Sequence, residues 1–145
     1  MFDTIIRNVR IIEDDLWKFV DLGIINERFA EISPTVTGSA RNEVDGDCAY
    51  CLPGSVDLHV HFNEPGRSHW EGFTTGSAAA SAAGITYLAE MPLNSIPSTT
   101  SVDALKTKLS AINNKSYLDF GLWGGVVPGN VNDLEPLAEA GVIGF

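Results

Sequence analysis

The sequence predicts an α/β fold, and three observations carry that prediction. From Pro53 onward, β-type segments alternate with segments of helical apolar spacing. Glycines stand where those helices should end, and the residues before Pro53 form a run of short β-type pieces instead. The expected organisation is a small, partial β-sandwich-like unit over residues 1–52 followed by an α/β unit over residues 53–145.

In the first unit, residues 4–12 (TIIRNVRII) are rich in β-branched side chains, and residues 22–25 and 29–32 add two apolar pieces between polar turns. This composition predicts a small antiparallel sheet. Residues 33–47 are polar and hold Pro34, Gly38 and Gly46, so a long loop is expected there.

In the second unit, residues 55–62 (SVDLHVHF) alternate as a strand does, with Val56, Leu58, Val60 and Phe62 on one face and Asp57, His59 and His61 on the other. Residues 72–83 are almost all small, which predicts a thin helix packed close to a sheet through Gly72 and Gly76 and closed by Gly84. Residues 85–91 form the next strand. Ser101 is placed to cap a helix with Val102, Leu105, Leu109 and Ile112 on one stripe, Asp103 early and Lys115 late. A third strand is expected over residues 118–127. Asn132 or Asp133 then caps a helix that tolerates Pro136 in its first turn and ends at Gly141, and residues 142–145 begin a fourth strand. Four parallel strands with three helices make half of a (β/α)8 barrel, a fold that needs about 250 residues to close.

Composition narrows the function classes. With 9 Lys+Arg against 19 Asp+Glu, the formal net charge is -10, which opposes attraction to nucleic acid or anionic lipid. No apolar run approaches the roughly 20 residues of a membrane span. The start, Met1-Phe2-Asp3-Thr4, carries an acid where a signal peptide has basic residues, so no membrane partner and a cytoplasmic location are expected. Cys48 and Cys51 form a lone C-x-x-C followed by Pro53-Gly54 rather than by a helix, and no second ligand pair accompanies them. Packing or incidental thiols are expected.

His59 and His61 are the sharpest chemical feature. At i and i+2 on one strand both imidazoles leave the same face and can hold one metal ion, near the strand end where barrel enzymes assemble their sites. Asn63-Glu64-Pro65-Gly66-Arg67 follows as a turn, which by spacing alone reads as a surface loop with a Glu64–Arg67 ion pair. Met91-Pro92-Leu93-Asn94-Ser95-Ile96-Pro97 is the equivalent loop after the second strand, and its prolines hold Asn94 and Ser95 where a substrate amide or carboxylate could be read. Glu90 either supports a metal-binding histidine from behind or simply packs. His69 and Trp70 beside Glu71 read as a packing cluster at a helix start, and Asn114-Lys115-Ser116 as a chance glycosylation match.

The run from Pro53 to Arg67 (PGSVDLHVHFNEPGR), then Trp70-Glu71-Gly72-Phe73, then residues 91–97 (MPLNSIP), closely resembles the allantoinases, which are cyclic amidohydrolases. The likeness runs through nearly the whole chain and is weakest between about Ile25 and Ala49. It implies the N-terminal half of a TIM-like amidohydrolase barrel, with His59 and His61 as the first two ligands of a site for two divalent ions, usually zinc. It further implies a small cyclic ureide as substrate, with contacts from Asn63, Asn94 and Ser95, and a homo-oligomeric assembly. Allantoin would be opened to allantoate, a step of purine breakdown, by a metal-activated hydroxide. In dihydroorotate-acting relatives an arginine stands where Asn63 stands, and hydantoin and dihydropyrimidine hydrolases lack the Asn-Glu-Pro-Gly-Arg loop. The resemblance places the bridging carbamylated lysine immediately after Phe145 and the catalytic aspartate later still, so no catalytic residue is expected within these residues. A fragment or short product of an allantoinase, inactive alone, is therefore the expectation, with a dihydroorotase- or hydantoinase-like cyclic amidohydrolase, or a non-catalytic truncated subunit or scaffold, as the alternatives.

Overall fold

The computed structural model describes residues Met1 to Phe145, which divide into two compact units, Met1–Pro53 and Gly54–Phe145.

The first unit is a four-stranded sheet in the order β3-β2-β1-β4, built from β1 (Phe2–Glu13), β2 (Leu16–Ile25), β3 (Arg28–Ser33) and β4 (Ala40–Asp45). β1 and β2 pair antiparallel, as do β2 and β3. Their two-residue turns, Asp14-Asp15 (φ 53° and 60°) and Asn26-Glu27 (φ 51° and 61°), place both central residues at positive φ, the form that matches the twist of the flanking strands. The loop expected over residues 33–47 is in part a strand. β4 lies parallel to β1 in the register Phe2↔Ala40 to Arg7↔Asp45, so the sheet is mixed rather than antiparallel throughout. Its polar sequence hides it because almost all of β4 is exposed; backbone pairing to the free edge of β1, with a 3.2 Å Arg7–Glu43 ion pair, sets it in place.

Asp21 anchors this unit. Its carboxylate accepts hydrogen bonds from Arg7 Nη1 (2.9 Å) and from the backbone N–H groups of Asn8 (3.0 Å) and Val36 (3.1 Å). Burial pushes its pKa upward, but these donors outweigh burial and hold it below the ordinary carboxylate value. Val9, Val20 and Leu22 form the buried core, with Ile6, Ile11 and Cys51 packed on it. Both cysteines are free.

The second unit contains a parallel sheet in the order β5-β6-β7, made of β5 (Ser55–Val60), β6 (Ile85–Glu90) and β7 (Asp119–Leu122). α1 (Phe73–Ala82) links β5 to β6, α2 (Val102–Ile112) links β6 to β7, and α3 (Leu134–Glu139) follows a short 3-10 turn. Phe62, Phe73, Leu88, Leu105, Ile112, Leu122, Leu137 and Val142 form one core. Ser101 caps α2 as predicted, its hydroxyl accepting from Ala104 N at 3.3 Å. Gly76 brings α1 against the Phe62 ring, since a Cβ there would lie 2.3 Å from Phe62 Cε1.

Three details depart from expectation. β7 is shorter than residues 118–127, because after Trp123, whose N–H still reaches Glu90 O (3.1 Å), the backbone turns to bond elsewhere, Gly125 N donating to Thr99 O (2.8 Å). Residues 142–145 are not a strand; two hydrogen bonds alone, Ile143 N to Leu122 O (3.0 Å) and Gly124 N to Gly144 O (2.8 Å), set them alongside β7. The buried stripe of α2 is Ala104, Leu105, Lys108 and Ile112, so the helix is turned from the expected face and Leu109 is exposed. A buried partner for Lys108 makes that rotation tolerable.

Candidate active site

The site forms where β5 ends. Alternation along the strand sends His59 and His61 to the same side, and their ring centroids lie 5.3 Å apart at an interplanar angle of 60°. Asp57 Oδ1 accepts the His59 N–H at 3.0 Å, tying this polar edge to its own backbone. Asn94, from the loop after β6, places its side-chain amide nitrogen 3.2 Å from His61 Nδ1. Beside His59 a cleft of about 180 Å³ is lined by Leu58, Met91, Pro92, Trp123, Gly124 and Phe145. Trp123 walls it with an indole N–H that donates to Leu58 O at 2.9 Å.

The structure thus brings His59, His61 and Asn94 together. Asn63 sits just behind them, 6% exposed and at φ 58°, its Nδ2 donating to His61 O at 3.1 Å. Its Oδ1 is buried without a hydrogen-bond partner. Ser95 is 2% exposed, with its hydroxyl directed at Pro92 O (3.5 Å) rather than at the cleft. No group of three or more His, Cys, Asp or Glu side chains is gathered here or elsewhere in the chain. Two imidazoles fit two corners of a metal's coordination sphere; they do not close one.

The turn after the strand is a structural joint, not the surface ion pair expected. Glu64, 6% exposed, accepts the Phe73 N–H at the start of α1 (3.0 Å) and pairs with Lys115, while Arg67 lies over the Trp70 ring at 4.9 Å. The carboxylate satisfies an open N–H and complements the positive end of α1, a better use of a buried charge than pairing across solvent. His69 and Trp70 rings stand edge to face at 5.9 Å, and Glu71 bonds to Thr75 in the first turn of α1.

Glu90 makes no contact with either histidine. It is fully buried at the end of β6 and ion-paired to the equally buried Lys108 of α2. Burial raises the pKa of Glu90 and lowers that of Lys108, and each resists the other's shift through its opposite charge. Sequence reasoning missed this pair, although a lysine at i+4 from Ala104 and i−4 from Ile112 was its trace.

No family model matches the chain. It is 43% identical over 144 residues to an allantoinase of Rubrobacter xylanophilus, covering 99% of this chain and 32% of that protein. It is 55% identical over 94 residues to an allantoinase of Saccharomyces cerevisiae, covering 65% of this chain and 20% of that one. Among solved structures, an L-hydantoinase (dihydropyrimidinase) from Arthrobacter aurescens superposes on all of this chain and on 32% of its own length, with a TM-score of 0.85 and 32% identity. The chain therefore spans about a third of the length of the Rubrobacter and Arthrobacter proteins. In sequence it is a homologue of the N-terminal portion of the allantoinases.

Proposed function

We propose that these residues supply the first section of a metal-dependent cyclic amidohydrolase acting on allantoin. The observation that carries the reading is the His59–His61 pair at the end of β5, facing Asn94, in a chain aligned over its whole length with allantoinases. The three-stranded parallel sheet with its crossing helices is, in this reading, the opening of a (β/α)8 barrel whose remaining strands and ligands lie in the two-thirds of the relatives that the chain does not span.

In such a site bound divalent ions, of which zinc suits imidazole ligands, activate water and polarise the amide carbonyl. The contribution of this chain is placement. His59 and His61 would hold the metal through their imidazoles. Asn94 sets its side-chain Nδ2 3.2 Å from His61 Nδ1 and so steadies the orientation of that ring. Asn63, buried behind the histidines with Nδ2 on His61 O, puts an uncharged amide there rather than a cation that would favour a carboxylate-bearing ring. The cleft beside His59, walled by Trp123 and Met91, leaves space next to that imidazole.

The test is a chimera in which this chain replaces the matching section of the Rubrobacter allantoinase. Allantoin turnover is expected, abolished by His59→Ala or His61→Ala together with bound zinc. A folded, zinc-loaded chimera that leaves allantoin untouched refutes the substrate. Turnover of hydantoin in its place favours the second reading, which the structural likeness to the Arthrobacter hydantoinase supports.

A further inference from the structure

We infer that Trp123 is a positioning residue for His59: its indole N–H, with the Asp57 carboxylate at the other end, clamps the peptide that joins Leu58 to His59 and so fixes where the His59 imidazole leaves β5. The inference rests on the proposed role of His59 in metal binding.

The need for a clamp follows from the strand pairing. β5 meets β6 at Asp57↔Leu88 and next at Val60↔Glu90, so Leu58 and His59 together stand opposite Ala89 alone. This is a one-residue bulge, a device that re-aims a side chain and takes the bulged residues out of the ladder. The backbone groups released there must find other partners. Both ends of the Leu58–His59 peptide find side chains. The Leu58 carbonyl accepts the Trp123 indole N–H at 2.9 Å, and the His59 N–H donates to Asp57 Oδ1 at 3.0 Å. A planar peptide gripped at its oxygen and at its nitrogen cannot swing about its flanking bonds, and the His59 Cα is held with it.

Trp123 is built as a strut. Its own N–H donates to Glu90 O at 3.1 Å, which anchors the residue beside the end of β6, while its side chain reaches past β6 to β5. Gly144 leaves room for the ring, since a Cβ there would stand 2.6 Å from Trp123 Cζ3. The same ring lines the cleft beside His59, so one side chain both sets the imidazole and bounds the space next to it. Packing asks only for an apolar ring at this place; the bond to Leu58 O asks for an indole N–H.

The test reads two variants of the chain, each at the bond that the other removes, by hydrogen exchange in NMR spectra. Trp123→Phe keeps an aromatic wall and deletes the indole donor. Exchange of the His59 amide should then quicken about 5-fold, the worth of one hydrogen bond, relative to Leu105 of α2, whose N–H is bonded to Ser101 O. Asp57→Ala deletes the acceptor of the His59 N–H. Exchange of the Trp123 indole N–H should quicken by a similar factor, and Asp57→Asn, which retains an acceptor oxygen, should restore the slow rate. The Asp57 variants decide the matter if Trp123→Phe fails to fold. Zn²⁺ affinity at the histidines, measured by calorimetry, should fall about 5-fold in Trp123→Phe and in Asp57→Ala. Unchanged exchange at the His59 amide in the first variant, or at the indole in the second, overturns the proposal, as does a quickening shared equally by Leu105. Absence of Zn²⁺ binding by the unaltered chain would remove the metal reading instead, and the two exchange ratios would still decide the role of Trp123.

Discussion

Gly76→Ala sets two known effects against each other on one helix. Alanine favours an α-helix over glycine by about 1 kcal/mol, so an open position would gain. At Gly76 the added Cβ would lie 2.3, 2.5 and 2.9 Å from Cε1, Cδ1 and Cζ of Phe62. Carbon atoms rest at about 3.5–4.0 Å, so the ring would have to retreat by more than about 1 Å. It has nowhere to go: Phe62 is 6% exposed and stands edge to face, 5.0 Å between centroids, with Phe73, which is fully buried. Overpacking of this kind costs about 1–3 kcal/mol, and the worst of the contacts puts this case in the upper half, so a net loss of about 1–2 kcal/mol is expected after the propensity gain. Urea unfolding followed by circular dichroism reads it as a lower midpoint, by about 0.5–1 M if m is about 2 kcal/mol/M, with m unchanged. Ala79→Gly, at an exposed position of the same helix, is the control and should lose about 1 kcal/mol for the opposite reason. A Gly76→Ala chain as stable as the original, or more so, would refute the claim that α1 is thin because Phe62 needs the space.

Asp21→Asn should cost about 2–3 kcal/mol at neutral pH, since Arg7 and two backbone N–H groups lose a charged acceptor. The folded pKa of Asp21 is depressed, so its contribution is complete above the unfolded carboxylate value and is lost as pH falls through the folded one. The stability gap between the two chains, measured by urea titration, should therefore narrow below about pH 4, and a constant gap would contradict the assignment. Glu64→Ala strips the N–H acceptor of α1 and the partner of Lys115, and a loss of about 2 kcal/mol is expected, partly recovered in Glu64→Gln. Ser101→Ala should cost about 1 kcal/mol through the lost cap of α2, read as a lower urea midpoint.

Local rules made much of the α/β unit legible. Alternation in SVDLHVHF, small residues over 72–83 and Ser101 before a 3.6-residue stripe each report on a neighbour's distance of a few residues, and periodicity reads that scale well. β4 was not legible because an exposed edge strand needs no apolar face; what fixes it is the free edge of β1, far away in sequence. Glu64 was assigned to Arg67 because they are three residues apart, whereas its partners are Phe73 N and Lys115. In the candidate site, the H-x-H pair and Asn94 could be picked out from strand and loop positions. The burial of Ser95 and the unpartnered Oδ1 of Asn63 depend on how the two loops fold back, which composition does not encode.

A strand presents two imidazoles on one side whatever follows it, so alternation explains the choice of His59 and His61 and leaves their placement open. The placement comes from groups later in the chain that converge on the residues around and after His61. Asn94 reaches His61 itself, and Lys115 with the start of α1 holds Glu64. One of those ties runs from just beyond the end of α2, where Lys115 lies. A metal centre gains affinity when its ligands are held before the ion arrives, because the ordering cost is already met in folding. The end of the helix between β6 and β7 therefore bears on the turn that follows His61. Perturbations that loosen α2 as a whole should weaken Zn²⁺ binding more than equal losses of stability placed in the Met1–Pro53 unit.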